Sequence, residues 1–276
     1  MITIFTDSCA DLGQPLLDAH GVRFIPLHVL VNGIDHLDSE YPITELFKSV
    51  SETGELPKTA APSVKEFQSF FDVKDSVVYI GLSSQLSATM SNAQLAKEQM
   101  EKADLHLIDS LNLSTGIGLL VLKAVDLMRA GKGVEEIIAE IEATRPKVRT
   151  AFVIDTMDYL YKGGRCTALQ AIFGSMLQIR PVINVREDGT LGVLDKVRGS
   201  RKKGLDRLIE RFKEDLPDVD LTRVFVTHTG CTEDAEYLVG ELKALAEIEN
   251  VHITTAGATI ASHCGPDTIG ILYITK

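Results

Sequence analysis

Five hydroxyl side chains, Ser83, Ser84, Ser87, Thr89 and Ser91, follow directly on the apolar run Ser76–Leu82. A strand-like segment gives way there to a helix-like one, and a helix start exposes unpaired N–H groups with a partial positive charge. One serine suffices to cap such a helix, which is the ordinary use of serine there. Ser87 is placed to be that cap, with Thr89 and Ser91 in the first turns. The remaining hydroxyls, beside the backbone amides, suit an anion such as a carboxylate or phosphate. Two other groups have matching chemistry. In Pro57-Lys-Thr-Ala-Ala-Pro-Ser63 the residue Ser63 opens a capping box with Glu66, which leaves Thr59 as the freer hydroxyl. The stretch GATIASHCGPDTIG, residues 257–270, sets His263 on a turn of small residues, where an imidazole can donate to a carboxylate.

Catalytic constellations find little support. No G-x-S-x-G elbow surrounds a serine, and no GxxxxGK[ST] phosphate loop occurs. Thr6-Asp-Ser-Cys-Ala-Asp11 follows a first strand as a phosphoaspartyl nucleophile would, but Cys9 stands where that chemistry needs a second acid. Gly116-Ile-Gly118 lacks the third glycine of a dinucleotide site and lies in an apolar helix. His228, Cys231, His263 and Cys264 are too irregularly spaced to read as a zinc site, and no metal is expected.

The elements that must position these groups alternate. Met1–Thr6 reads as a strand, Val22–Val31 as extended, and residues 63–71 as a helix. Val77–Leu82 is a strand and residues 87–100 a helix. Leu105–Ile108 is again a strand, followed by helices over Thr115–Arg129 and residues 131–144. A second series runs through strand Thr150–Ile154, helix Leu169–Leu177 and strand Arg180–Arg186. A hairpin turn at Glu187–Thr190 leads into Leu191–Val197, then come helix Arg201–Glu214, strand Arg223–Thr227, helix Thr232–Ala246 and strand Ile269–Thr275. The pattern predicts an α/β protein of two domains, 1–150 and 151–276, with largely parallel sheets covered by helices; ligands of such sheets collect beyond the carboxyl ends of the strands.

Composition is consistent with this. The chain has 276 residues, of which 45% are apolar and 24% charged, and its net charge of −11 argues against a general nucleic-acid binder. No apolar stretch approaches the roughly 20 residues of a membrane span, and the start MITIF lacks a basic n-region, so a cytoplasmic protein without stable membrane insertion is expected. Four scattered cysteines suggest free thiols. Against the acidic background, Lys196-Val-Arg-Gly-Ser-Arg-Lys-Lys203 reads as either a solvated helix start or a docking patch for an acidic partner.

Taken in order, several stretches resemble the DegV family. They are Thr6-Asp-Ser-Cys-Ala-Asp-Leu12, Pro26-Leu-His-Val29, Lys58-Thr-Ala-Ala-Pro-Ser63, Ser83-Ser-Gln-Leu-Ser-Ala-Thr89, Tyr159-Leu-Tyr-Lys-Gly-Gly-Arg165, Lys196–Lys203 and His263-Cys-Gly-Pro266. Ala60 and Ala88 stand where the family has serine and glycine. The resemblance implies a non-catalytic lipid-binding subunit of a bacterial fatty acid kinase. Such a protein holds one long-chain fatty acid in an interdomain tunnel while a separate ATP-using kinase subunit phosphorylates its carboxylate. Carried onto this chain, Thr59, Ser87 and His263 contact the carboxylate, with Ser84 and Ala88 beside them. Arg165, Arg198, Arg201, Lys202 and Lys203 face the kinase subunit. Candidate tunnel lining falls on Ile117, Phe173, Met176 and Leu177, and no cofactor beyond the bound fatty acid is implied. The rival reading is a stand-alone enzyme acting on a small anionic substrate through Asp7, Ser8 and His263.

Overall fold

The computed structural model describes residues 1–100, 102, 104–166 and 179–276. In chain order the first half contains β1 (Ile2–Asp7), α1 (Gly13–His20), β2 (Arg23–Ile25), β3 (His28–Val31), β4 (Ile34–Leu37), α2 (Ile43–Thr53), β5 (Lys58–Ala60), α3 (Val64–Phe71), β6 (Ser76–Gly81), α4 (Thr89–Met100), β7 (Leu105–Asp109), α5 (Thr115–Arg129) and α6 (Val134–Thr144). The second half contains β8 (Val148–Val153), α7 (Asp158–Lys162), β9 (Ile179–Val185), β10 (Leu191–Arg198), α8 (Arg201–Asp215), β11 (Val219–His228), α9 (Thr232–Leu245), β12 (Asn250–Thr255), α10 (Ala258–Cys264) and β13 (Ile269–Thr275).

Strands β2-β1-β6-β7 form a sheet whose every pairing is parallel. Parallel strands are covered on both faces, and alternation along them shows which helix takes which face. Ile4, Val78, Ile80 and Ile108 pack against α5, whereas Phe5, Val77, Tyr79 and Leu105 pack against α3 and α4. Ser63 caps α3 as its sequence requires: its hydroxyl accepts from Glu66 N at 3.3 Å while the Glu66 carboxylate accepts from Ser63 N at 2.7 Å. A cap of this kind contributes about 1 kcal/mol.

The second sheet has the order β10-β9-β8-β13-β11-β12 and departs from the expectation of largely parallel strands. Only β11 with β12 is parallel among its described pairings; the others are antiparallel. The hairpin β9–β10 needs no crossover, and β13 returns between β8 and β11 after the short α10, which is how antiparallel neighbours arise. The α/β class stands, because α8 and α9 cover one face of this sheet through Val153, Val182, Val226 and Ile271. Its other face, with Phe152, Ile183, Phe225 and Leu272, joins the same core as Ile4 and Ile80.

Helix α5 lies between the two sheets. From Thr115 to Leu122, and again at Ala124 and Val125, every side is buried, which accounts for its near-uniform apolar sequence. The core is therefore continuous across the halves, and a boundary at residue 150 falls inside β8. A small antiparallel sheet, β4-β3-β5, packs with α2 and α10 through Val29, Val31, Leu46 and Ala258. Among the described residues no helix is long and apolar enough to cross a membrane.

Candidate functional site

The carboxyl end of β6 leads through Leu82–Ala88 into α4, the usual place for a ligand beside a parallel sheet. The five hydroxyls there divide their work. Ser83 is fully buried and donates to Gly189 O at 2.9 Å, tying this turn to the β9–β10 hairpin. Ser84 and Ser91 are exposed. Ser87 Oγ lies 2.8 Å from Thr89 Oγ1 and accepts from Thr89 N at 3.3 Å, so it covers the first amide of α4 from one residue ahead of the cap position, which Ala88 holds instead of the expected Ser87. Of the five, Ser87 alone lines a cavity of about 290 Å³ among the described residues.

Two further groups reach that cavity. Thr59 sits on β5, which pairs with β3 at Val29 and so has a fixed backbone rather than a loop. Asn92 Nδ2, on α4, donates to Pro62 O at 2.8 Å and holds the following segment against α4. His263 lies not on a turn but in the last turn of α10, whose small residues let the helix nestle against β3, β5 and α2. Its Nε2 stands 2.8 Å from Thr59 Oγ1, a contact between residues 204 positions apart. Burial, and then the charge of Arg165, push the His263 imidazole down to about 4, so the ring is neutral at pH 7. Its Nδ1 is buried without a hydrogen-bond partner among the described residues, and Gly163 lies against it.

The rest of the cavity wall is chiefly aliphatic, with Leu27, Leu82, Leu86, Leu113, Leu160 and Leu191. Arg165 is the sole charged side chain on the described wall, and no carboxylate lines it. Thr59, Ser87, Ala88 and His263 thus meet around one cavity, while Ser84 does not reach it. Ile117 lies in the core on α5 rather than on this wall. Phe173, Met176 and Leu177, and the helix expected over 169–177, lie outside the described residues.

The basic segment is only partly free. Arg201 Nε pairs with Asp234 at 2.5 Å and its Nη1 approaches Asp155 at 3.7 Å, while Lys202 pairs with Asp206 at 2.9 Å. Arg198 and Lys203 are exposed and form no salt bridge among the described residues. Arg165, exposed on the cavity rim, donates to Gly163 O at 2.6 Å.

Asp7, Ser8 and His263 do not assemble. Asp7 accepts from Leu82 N, Tyr79 Oη and Cys9 N at 2.8, 2.9 and 3.0 Å, and Ser8 Oγ accepts from Leu27 N at 3.0 Å. Both line a different cavity, of about 180 Å³, with Asp11 and Asp38. Burial pushes Asp7 up to about 6 despite those three bonds.

Several lining residues carried no signal as loop residues. Thr259, Ile260, His263 and Cys264 all line the cavity, at spacings that share one helical face. Reading residues 258–264 as a helix would have found them. Burial raises the Cys264 thiol to about 12, so it serves as packing rather than as a nucleophile.

Comparison with known proteins is consistent over the whole chain. The family model described as uncharacterised proteins of the DegV family matches residues 1–276. A DegV domain-containing protein from Caldanaerobacter subterraneus subsp. tengcongensis is 34% identical over 279 residues, covering 100% of this chain and 99% of the relative. The fatty acid-binding protein of Thermotoga maritima is 30% identical over 279 residues, covering 98% and 96%. A fatty acid-binding DegV family protein from Thermus thermophilus superposes with a TM-score of 0.92 at 31% identity, covering 100% and 99%.

Proposed function

The chain belongs to the DegV family, and we propose that it binds one long-chain fatty acid and presents the carboxylate to a separate ATP-dependent kinase subunit for acyl phosphate formation. The observation that carries this reading is the Thr59–His263 pair, 2.8 Å apart, in a leucine-rich cavity without a carboxylate on its described wall. An anionic head group meets hydroxyls, an imidazole and the Arg165 charge there, and an apolar tail meets leucines.

The proton positions follow from burial. Among the described residues no acceptor meets Nδ1, where a hydrogen would be a buried donor left unpaired, so we assign the hydrogen of the neutral ring to Nε2. Nε2–H then donates to Thr59 Oγ1, which frees the threonine hydroxyl hydrogen for the ligand carboxylate. Ser87 supplies a second hydroxyl. A carboxylate satisfied in this way tolerates burial that an unpaired one would not. The tail supplies the affinity: at about 0.8 kcal/mol per methylene, a chain of about 16 carbons contributes more than about 10 kcal/mol before ordering costs. Chemistry on the carboxylate is left to the partner, which the exposed Arg198, Lys203 and rim Arg165 would meet.

Native mass spectrometry of the purified protein, followed by titration of stripped protein with oleate, tests the binding. Protein that carries no lipid and takes up no added oleate overturns it. Acyl phosphate must also form only when ATP, this chain and a kinase subunit are combined; turnover by this chain alone would overturn the division of labour.

A further inference from the structure

The cavity of Asp7, Asp11 and Asp38 is not the head-group site, yet two of its carboxylates reach the helix that carries His263. Asp11 Oδ1 accepts from Gly257 N at 2.8 Å, and Asp38 Oδ1 accepts from Thr259 N at 2.8 Å. Both bonds join residues more than 200 positions apart: 246 for the first and 221 for the second. Ser114 Oγ, just before α5, donates to Asp11 Oδ2 at 2.6 Å and fixes that carboxylate from its other side.

We propose that Asp11 and Asp38 are positioning residues for the head-group site, holding the first turn of α10 so that the His263 ring stands against Thr59. Helix α10 has seven residues and no side-chain cap of its own. So short a helix has little stability by itself, and its orphan N–H groups need outside partners. The two carboxylates supply them at the positive end of the helix dipole. The first turn of α10 is thereby clamped from the N-terminal half, and the helix so fixed carries Thr259, Ile260, His263 and Cys264 onto the cavity wall. Gly257 makes the clamp possible, because a Cβ there would stand 2.9 Å from Asp38 Oδ1 and 3.4 Å from Asp11 Oδ1.

A plain packing role would not call for carboxylates. Burial pushes both Asp11 and Asp38 up from the ordinary carboxylate range, and among the described residues no basic side chain lines their cavity to offset it. Apolar side chains would fill the space with less penalty but would offer nothing to the Gly257 and Thr259 amides. What the carboxylates provide is a fixed position for the helix.

For its ligand this proposal rests on the fatty-acid reading; for its geometry it does not. The test therefore has two readouts on D11A, D38A, D11N and D38N: the NMR signal of the His263 ring in ligand-free protein, and oleate affinity. Loss of one hydrogen bond to a charged group predicts roughly tenfold weaker oleate binding in the alanine variants. Their His263 signal should shift as well, and the asparagine variants, which keep an acceptor oxygen, should recover most of both. Folded alanine variants with the wild-type His263 signal overturn the proposal. Should they not fold, G257A probes the same contact, and an unmoved His263 signal in it overturns the proposal equally. Wild-type protein that binds no oleate defeats the fatty-acid reading, and the ring signal still judges the clamp.

Discussion

Gly163 lies so close to His263 that a Cβ on it would stand 2.7 Å from Nδ1 and 2.7 Å from Tyr159 O. Its φ of −69° is one that any residue adopts, so what holds glycine there is space rather than backbone conformation. The substitution G163A should push the ring off Thr59. We expect oleate affinity to fall by about tenfold or more and stability by about 1–3 kcal/mol, the usual cost of overpacking. Calorimetric titration beside thermal melts checks both; unchanged affinity would mean that ring placement does not matter.

The two hydroxyls on the cavity should matter where their neighbour does not. T59A and S87A should each weaken oleate binding by about 1–3 kcal/mol, the cost of leaving a buried charged group short of a donor. S84A, at an exposed position away from the cavity, should bind as wild type does. T59S should retain most of the affinity, because the hydroxyl remains. Equal affinities across the set would show that other groups hold the carboxylate.

Acid should weaken the fold through His263. Its pKa is about 4 in the folded chain against an ordinary 6.5. Between those values the unfolded chain takes up a proton that the folded one refuses. Stability from this group is thus complete above pH 6.5 and lost as pH falls toward 4, by on the order of 2 kcal/mol. Asp7, raised to about 6, acts in the opposite sense over much of the same range, so wild type alone would blur the effect. The difference between wild type and H263Q isolates it: denaturant titrations from pH 7.5 to about pH 4.5 should show that difference moving against wild type. A gap independent of pH would contradict the buried neutral ring.

Charge reversal separates docking from binding. R198E and K203E should abolish acyl phosphate formation with the kinase subunit while leaving oleate affinity unchanged, since neither residue lines the cavity. R201E is a poorer probe, because Arg201 also holds Asp234 and Asp155 and its reversal would disturb α8. Wild-type phosphorylation by the double variant would move the docking surface elsewhere.

Much of this arrangement was legible because it is local. The Ser63 box and the turn between β9 and β10 depend on neighbours a few residues away, and the strand Ile269–Thr275, though paired with distant β8 and β11, shows as an unbroken apolar run; all three appear where the pattern puts them. Of the small sheet β4-β3-β5, β3 falls within the extended stretch Val22–Val31, but β4 and β5 were missed because strands of three or four residues exist only by pairing with it. Helix α10 was missed because Gly, Ala, Thr and Ser give it no contrast between apolar and polar faces. Its first turn is held by Asp11 and Asp38, which no window around residue 260 contains. The hydroxyl–imidazole pair itself was expected on grounds of family pattern; no periodicity links residue 59 to residue 263.

Because the buried length of α5 is shared between both sheets, the two lobes cannot swing apart as a clamshell without stripping a common greasy rod. A guest must then slip in by way of peripheral pieces, with the central beam standing still. For the same reason, cutting the gene at the 147/148 junction should yield two sticky, unfolded products rather than two working modules.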